Sequence, residues 1–183
     1  MGLASARPGI KDVIYLALRK IVLKTDDVLR KKCKTVEVFD EKLGILLDDM
    51  AETMYKSNGV GLAAPQVGIL RRAVVVDAGE GLMELINPEI IKSKGTQRDI
   101  EGCLSCPDDW GYVVRPMEII VKAQDRNGKH LQFKLKEFTA RAVCHELDHL
   151  DGKLFIDIAD EMVDPDEVEK EREKNGKRKR KKR

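Results

Sequence analysis

Hydrophobic residues along this chain follow two different periods. In residues 40–56 they fall at Leu43, Leu46, Leu47, Met50 and Met54, three and four apart, which predicts an amphipathic helix with one buried face. Residues 26–32 are expected to form a helical turn. Four other segments are short, rich in β-branched residues and bounded by turn formers. These predict strands at 72–77, 82–86, 119–125 and 131–135, with Asn127-Gly128 as a hairpin signal between the last two. A second helix is expected through residues 136–149. Its first nine residues lack Gly and Pro, and Phe138, Ala142, His145 and His149 recur at helical spacing. Near the end, residues 166–174 read as a polar helix. Like-charge pairs Glu167–Glu171 and Glu169–Glu173 weaken it, Glu167–Lys170 and Glu171–Lys174 partly offset them, and Asn175-Gly176 stops it. No repeat or long linker interrupts the chain before this point. The pattern predicts one α+β domain.

His145-Glu146-Leu147-Asp148-His149 gives the second helix its chemistry. Residues four apart share a helix face, so both imidazoles can grip one divalent ion. Glu146 lies beside them, placed to move a proton to or from water on that ion. Two satisfied core histidines would also fit a buried helix, but these are two of only three His in the chain and they bracket a Glu. A catalytic site needs a third protein ligand and an open position. The run as far as Gly152 follows the metzincin protease pattern, yet Phe155 stands where that pattern has its third His. A downstream Glu is a poor candidate, because only about thirty residues follow Gly152 and their Glu sit in a charged end.

Upstream, Glu101-Gly102-Cys103-Leu104-Ser105 offers a thiolate. A Cys-His-His set suits zinc or ferrous iron, and Gly102 allows the backbone to pass close to the ion. Gly59-Val60-Gly61-Leu62-Ala63-Ala64-Pro65-Gln66 lies between a predicted helix and a predicted strand. Its glycines permit a tight turn, and Gln66 carries an amide donor suited to an oxyanion. Each segment is weak alone: a Gly-rich turn is most often only a turn, and a lone Cys is most often core. In this order, together with Ile86-Asn87-Pro88, Arg115-Pro116 and Leu154-Phe155, the three segments resemble the peptide deformylase family from about residue 17 to about residue 160.

The resemblance implies antiparallel or mixed sheets packed around a central metal-binding helix. Cys103, His145 and His149 would hold one divalent metal with water or hydroxide in the fourth position. Ferrous iron is the expected ion in the cell, and Zn2+, Ni2+ or Co2+ can replace it. Glu146 would be general base and then general acid. The Gln66 amide and the Leu104 N–H would form the oxyanion hole, and Glu101 would pair with Arg115 to hold the Cys103 loop. The implied substrate is the N-formylmethionyl end of a nascent peptide. The backbone around Val60, Gly61 and Gly102 and the segment after Ser105 would grip it as an added strand. Phe138, Arg141 and Ala142 are expected to line the methionine pocket, with Arg141 reaching solvent as the alternative. Trp110 and Tyr112 would shape the groove or pack half-exposed. Cys103-Leu-Ser-Cys106 lacks the second Cys-x-x-Cys of a zinc ribbon; a redox pair or a small core residue remains open for Cys106. The alternatives to deformylation are an HExxH zinc endopeptidase and a basic-tailed RNA-binding protein with a structural metal.

Composition agrees with such an enzyme. The chain has 183 residues, enough for one core and short for two, and no apolar run approaches a membrane span. Four scattered Cys (33, 103, 106 and 144) form no disulfide framework and one is wanted as a thiolate, so a cytoplasmic location is expected. A monomer without membrane contact is expected as well. Residues 166–183 hold ten of the 34 Lys+Arg and five of the 32 Asp+Glu, which leaves a net −3 on residues 1–165. Residues 177–183 are all basic, a run that is either a solvated end or a ribosomal-RNA contact. Residues 1–16 match neither a secretory signal nor a myristoylation pattern. The expected division is an extension at 1–16, a catalytic domain at 17–162 and a charged tail at 163–183.

Overall fold

A computed structural model describes residues 17–168 and 170. The extension at 1–16 and most of the polar helix and basic run expected after residue 165 therefore lie outside the described residues; 165–168 are helical.

The first long helix, α1 (Glu41–Lys56), starts where Asp40 accepts a hydrogen bond from the Leu43 N–H at 3.0 Å. Its five predicted apolar positions are all buried. The second, α2, runs Glu137–Leu150. The described residues also form eight strands: β1 (Gly61–Ala63), β2 (Ala73–Val76), β3 (Met83–Lys94), β4 (Gln97–Cys103), β5 (Cys106–Arg115), β6 (Glu118–Gln124), β7 (His130–Lys136) and β8 (Glu161–Val163). Short 3-10 turns occupy Asp27–Arg30, Ala64–Val67 and Phe155–Asp157.

One sheet has the order β1-β2-β3-β6-β7 and the other β4-β5-β8, and the strand pairs are antiparallel throughout. β2 explains the layering. All four of its residues are buried, because both faces of the larger sheet are covered. Val74 and Val76 pack in one cluster with Val143 and Leu147 of α2. Ala73 and Val75 pack in another with Leu47 and Met50 of α1. The sheet is thus held between the two helices. The smaller sheet buries Cys106 and Val113 against Leu29, Leu154 and Phe155.

Several elements depart from the sequence-based expectation. β3 does not stop at Ile86 but continues to Lys94. The register shifts between Ile86 and Glu89, and Asn87 sits there at a φ of 51°. Pro88, which lacks an N–H, falls within that irregularity, where a ladder bond is not required. The Asn87 side chain fills the gap, accepting from the Val36 N–H at 2.8 Å and donating to the Val36 carbonyl at 2.9 Å. β1, β4, β5 and β8 were not predicted. β1 and β8 have three residues each, too few to show a period, and most of β4 faces solvent at least partly. The Asn127-Gly128 hairpin forms, but Asp125 closes a longer loop by accepting from the Asn127 and Lys129 N–H groups, each at 2.9 Å. Phe138, part of the apolar repeat in α2, is 53% exposed.

The Asp40 cap yields a direct test. Asp40→Ala should cost about 1 kcal/mol of stability, read as a lower urea midpoint with an unchanged slope. An unaltered midpoint would show that α1 starts without this bond.

Candidate metal centre and active site

His145 and His149 lie one turn apart on α2, with ring centroids 5.1 Å apart. The β4–β5 hairpin turns through Leu104 and Ser105 and sets Cys103 opposite them. The donor atoms of Cys103, His145 and His149 all lie within 4.8 Å of one another, and Cys103 Sγ is 3.3 Å from His149 Nε2. A tetrahedral ion bonded at about 2.0–2.3 Å keeps its ligands roughly 3.3–3.7 Å apart, so the three atoms fit one small divalent cation after slight contraction.

Glu101 organises this triangle. The residue is 5% exposed, and its carboxylate collects four N–H donors. Arg115 Nε and Nη2 each donate at 2.9 Å, Arg141 Nη1 at 3.0 Å and His145 Nδ1 at 2.9 Å. Because Nδ1 carries the hydrogen toward Glu101, His145 Nε2 keeps its lone pair for a cation. Burial would raise the Glu101 carboxyl, but the bonds from His145 and Arg115 outweigh it and hold the group down at about 2. Burial above all, with the Arg115 charge, holds His149 well below the usual imidazole range, in the neutral form a ligand needs. In the metal-free site, the bond to Cys106, burial and the Glu146 carboxylate push the Cys103 thiol up. A cation on Sγ reverses that direction, since the thiolate is the ligand form.

Glu146 is pushed up to about 7, chiefly by burial. Its Oε2 is buried and has no hydrogen-bond partner among the described residues. β1 runs directly beside it: a Cβ added at Gly61 would lie 2.3 Å from Glu146 Oε1. Any side chain at Gly61 would push the Glu146 carboxylate out of this position. Gln66, also buried, has its amide turned by its neighbours. Its Oε1 accepts from the Ala63 N–H at 2.8 Å, and its Nε2 donates to Ser105 Oγ at 3.2 Å and approaches Cys103 Sγ at 3.5 Å.

A cavity of about 420 Å³ opens over these groups, and the wall includes Val60, Gly61, Gly102, Trp110, Phe138, Arg141 and Ala142. Gln66, Cys103, Leu104, His145 and Glu146 border the same space. Trp110 stands over Gly102, where an added Cβ would come within 2.4 Å of the indole ring. Arg141 does not reach solvent. It is 3% exposed, and besides Glu101 it donates to the Val113 carbonyl at 3.1 Å. Phe155 occupies the place where the metzincin pattern puts a His, and its ring stacks on His145 at 5.9 Å.

Four contributors were missed by sequence reasoning. Asp148 is the second partner of Arg115, through Nη1. Its position three residues after His145, on the same helix face, was an available signal. Ser105 orients Gln66, and Ser57 and Asn58 at the end of α1 join the cavity wall. For these last two the sequence carries only a helix-stop pattern, with Asn58 at a φ of 54°.

With this geometry in view, the family model for polypeptide deformylase matches residues 18–164. The chain belongs to the peptide deformylase family. A peptide deformylase from Caldicellulosiruptor bescii is 55% identical over 162 residues, covering 88% of this chain and 98% of that one. Another, from Acetivibrio thermocellus, is 56% identical over 158 residues, covering 86% and 93%. The crystal structure of peptide deformylase from Thermotoga maritima superposes with a TM-score of 0.77 at 44% identity, over 78% of this chain and 98% of that chain. The protein is therefore a metal-dependent hydrolase that removes the N-formyl group from newly synthesised polypeptides, and the endopeptidase alternative has no support. No helix among the described residues is long and apolar enough to cross a membrane.

Glu101 should leave a mark on acid stability. Its carboxyl is held at about 2 in the folded chain against an ordinary 4.5. The stabilisation is complete above about pH 4.5 and is lost as pH falls through 2. Glu101→Gln should therefore lower stability at pH 7 by on the order of 3 kcal/mol, with the gap closing toward pH 2 in urea titrations. A gap independent of pH would mean that the ionised carboxylate is not what holds the site.

Proposed function

We propose that Cys103, His145 and His149 bind the metal, ferrous iron in the cell, and that deformylation proceeds in the cavity above them in the cytoplasm. The observation that carries this reading is Glu146, a buried carboxylate with a free oxygen and a raised proton affinity beside three converging donor atoms. The site matches a divalent ion by its donor set, one sulfur and two neutral imidazoles. When bound, such an ion supplies Lewis acidity that makes water a better nucleophile at neutral pH.

The chain's own residues do the rest. β1 has β2 on one side only, so its other edge is available to an extended peptide. Gly61 and Gly102 keep side chains off the two facing backbones. The methionine side chain enters between Phe138 and Ala142, and Trp110 closes the wall over Gly102. Glu146 accepts a proton from the attacking water. As charge grows on the formyl oxygen, Gln66 Nε2 turns its long, weak contact with Cys103 toward that oxygen, joined by the Leu104 N–H. Glu146 then gives its proton to the amine nitrogen, the C–N bond breaks, and formate and a free N-terminal methionine leave. Arg115, Arg141 and Glu101 act through His145 by holding its tautomer.

Glu146→Gln should retain metal while formate release from a formyl-Met tripeptide falls roughly 10³-fold. Near-normal turnover by the metal-replete variant would end this mechanism. Metal analysis of anaerobically purified protein tests the ligands: Cys103→Ala should lose tightly bound metal, and Cys33→Ala and Cys144→Ala should keep it. A full metal complement in Cys103→Ala would require another ligand.

Residues 177–183, outside the described residues, are proposed to contact ribosomal RNA. Their removal should leave activity on short formyl peptides unchanged and weaken ribosome co-sedimentation, which should also fall steeply with salt. Equal co-sedimentation with and without them at low salt would make them a solvated end.

A further inference from the structure

Cys106 takes no part in the ligand set or in the proposed proton transfers, yet it is placed with unusual economy. It is the first residue of β5, and the register pairs it with Cys103, the last residue of β4, across the Leu104-Ser105 turn. The side chain is 1% exposed and belongs to the cluster of Val113, Leu154 and Phe155, against which Cys103 is packed. The ladder shifts register between Gly102 and Cys103, so this pair closes the hairpin beyond a bulge; facing residues on antiparallel strands have Cα atoms about 4.5–5.5 Å apart, inside the roughly 4.4–6.8 Å range that a disulfide spans. The other two cysteines lie elsewhere: Cys33 and Cys144 belong to the cluster under the larger sheet.

We propose that Cys103 and Cys106 form a reversible disulfide when the site is metal-free and meets a peroxide, making this pair a protective oxidation site. Peroxide is the oxidant. The Cys103 sulfur attacks one peroxide oxygen, the O–O bond breaks, and the departing oxygen takes a proton to become water. Cys103 is then a sulfenic acid. The Cys106 sulfur attacks the Cys103 sulfur, the S–O bond breaks, and the hydroxyl leaves with the Cys106 proton as a second water. Two thiols lose two electrons and two protons, and one peroxide becomes two waters. The alternative fate of the sulfenic acid is further oxidation to sulfinic and sulfonic acid, which ordinary thiols do not reverse. Cys106 intercepts that route because its sulfur is already across the hairpin, whereas peroxide must diffuse in a second time. The disulfide removes the sulfur donor, leaving His145 and His149 alone, and a dithiol restores the set.

The bond itself rests on strand register. Its effect on metal binding rests also on the ligand assignment above, which the Cys103→Ala metal analysis tests separately. The full-length chain, chelated and treated anaerobically with a small excess of hydrogen peroxide, is alkylated and digested with trypsin without reduction. Residues 99–115 contain no internal Lys or Arg, so one peptide carries both cysteines. Expected is that peptide two hydrogens lighter and unalkylated, becoming doubly alkylated after dithiothreitol. Activity should return to more than about half on adding thiol and ferrous iron. In Cys106→Val and Cys106→Ser, the same exposure should give Cys103 sulfinic or sulfonic acid and less than a tenth of that recovery. The proposal is overturned if wild-type Cys103 reaches those acids as fast as in the variants. Linkage of Cys103 to Cys33, Cys144 or a second chain, or recovery of the peptide with both thiols intact, overturns it equally. The wild-type digest decides the matter even if a variant fails to fold.

Discussion

Everything at this site depends on one buried carboxylate. Glu101 lies on β4, two residues before Cys103, and its four donors come from β5 and α2. Placing a bare carboxylate in the interior costs several kcal/mol, and only well-formed bonds to charged donors offset it. Here the two-point Arg115 contact and the Arg141 guanidinium do so, and the remaining contact goes to a histidine of the metal triangle. The smaller sheet and the long helix are thereby locked together at the point where their donor atoms must converge. A single carboxylate sets the distance between elements and the tautomer of His145.

The second constraint is space. α2 lies under the edge of the larger sheet, and the carboxylate of Glu146 comes against the backbone of β1 at Gly61. On the other side, Trp110 covers Gly102. Both glycines have φ values outside the left-handed region, so the missing Cβ, rather than backbone freedom, is what the site uses. The two strands come close to Glu146 and Trp110 at positions where they carry no side chains of their own.

The third feature is what has been left unsatisfied. Most buried polar groups in a fold find partners. Glu146 Oε2 and His149 Nδ1 have none among the described residues. Arg141 Nη2 on the same cavity wall has none either, while Phe155 stacks on His145 and Val143 and Leu147 are set against the sheet. An open valence for Glu146 at the edge of a cavity is what a proton carrier needs, and it opposes what stability alone would favour.

Much of this was legible before any coordinates. The α1 face, the strands around Val74, Val121 and Leu135, and the His145-Glu146-His149 spacing follow from local periodicity, which acts within a few residues. The Cys103 and Gln66 motifs pointed to the same chemistry through their resemblance to a family. What remained illegible involves partners distant along the chain. The extension of β3 past Pro88 needs Val36 and Gln124 to hold Asn87. The fate of Arg141, drawn inward rather than to solvent, needs Glu101 forty residues earlier. β4 carries few apolar residues and declares itself only by pairing with β5. Sequence determined which side chains can bind a metal and move a proton, because that chemistry belongs to residue types and short spacings. Only the tertiary structure decided that a carboxylate, two arginines and two glycines would bring them to one point, because contacts made across the fold leave no period in the chain.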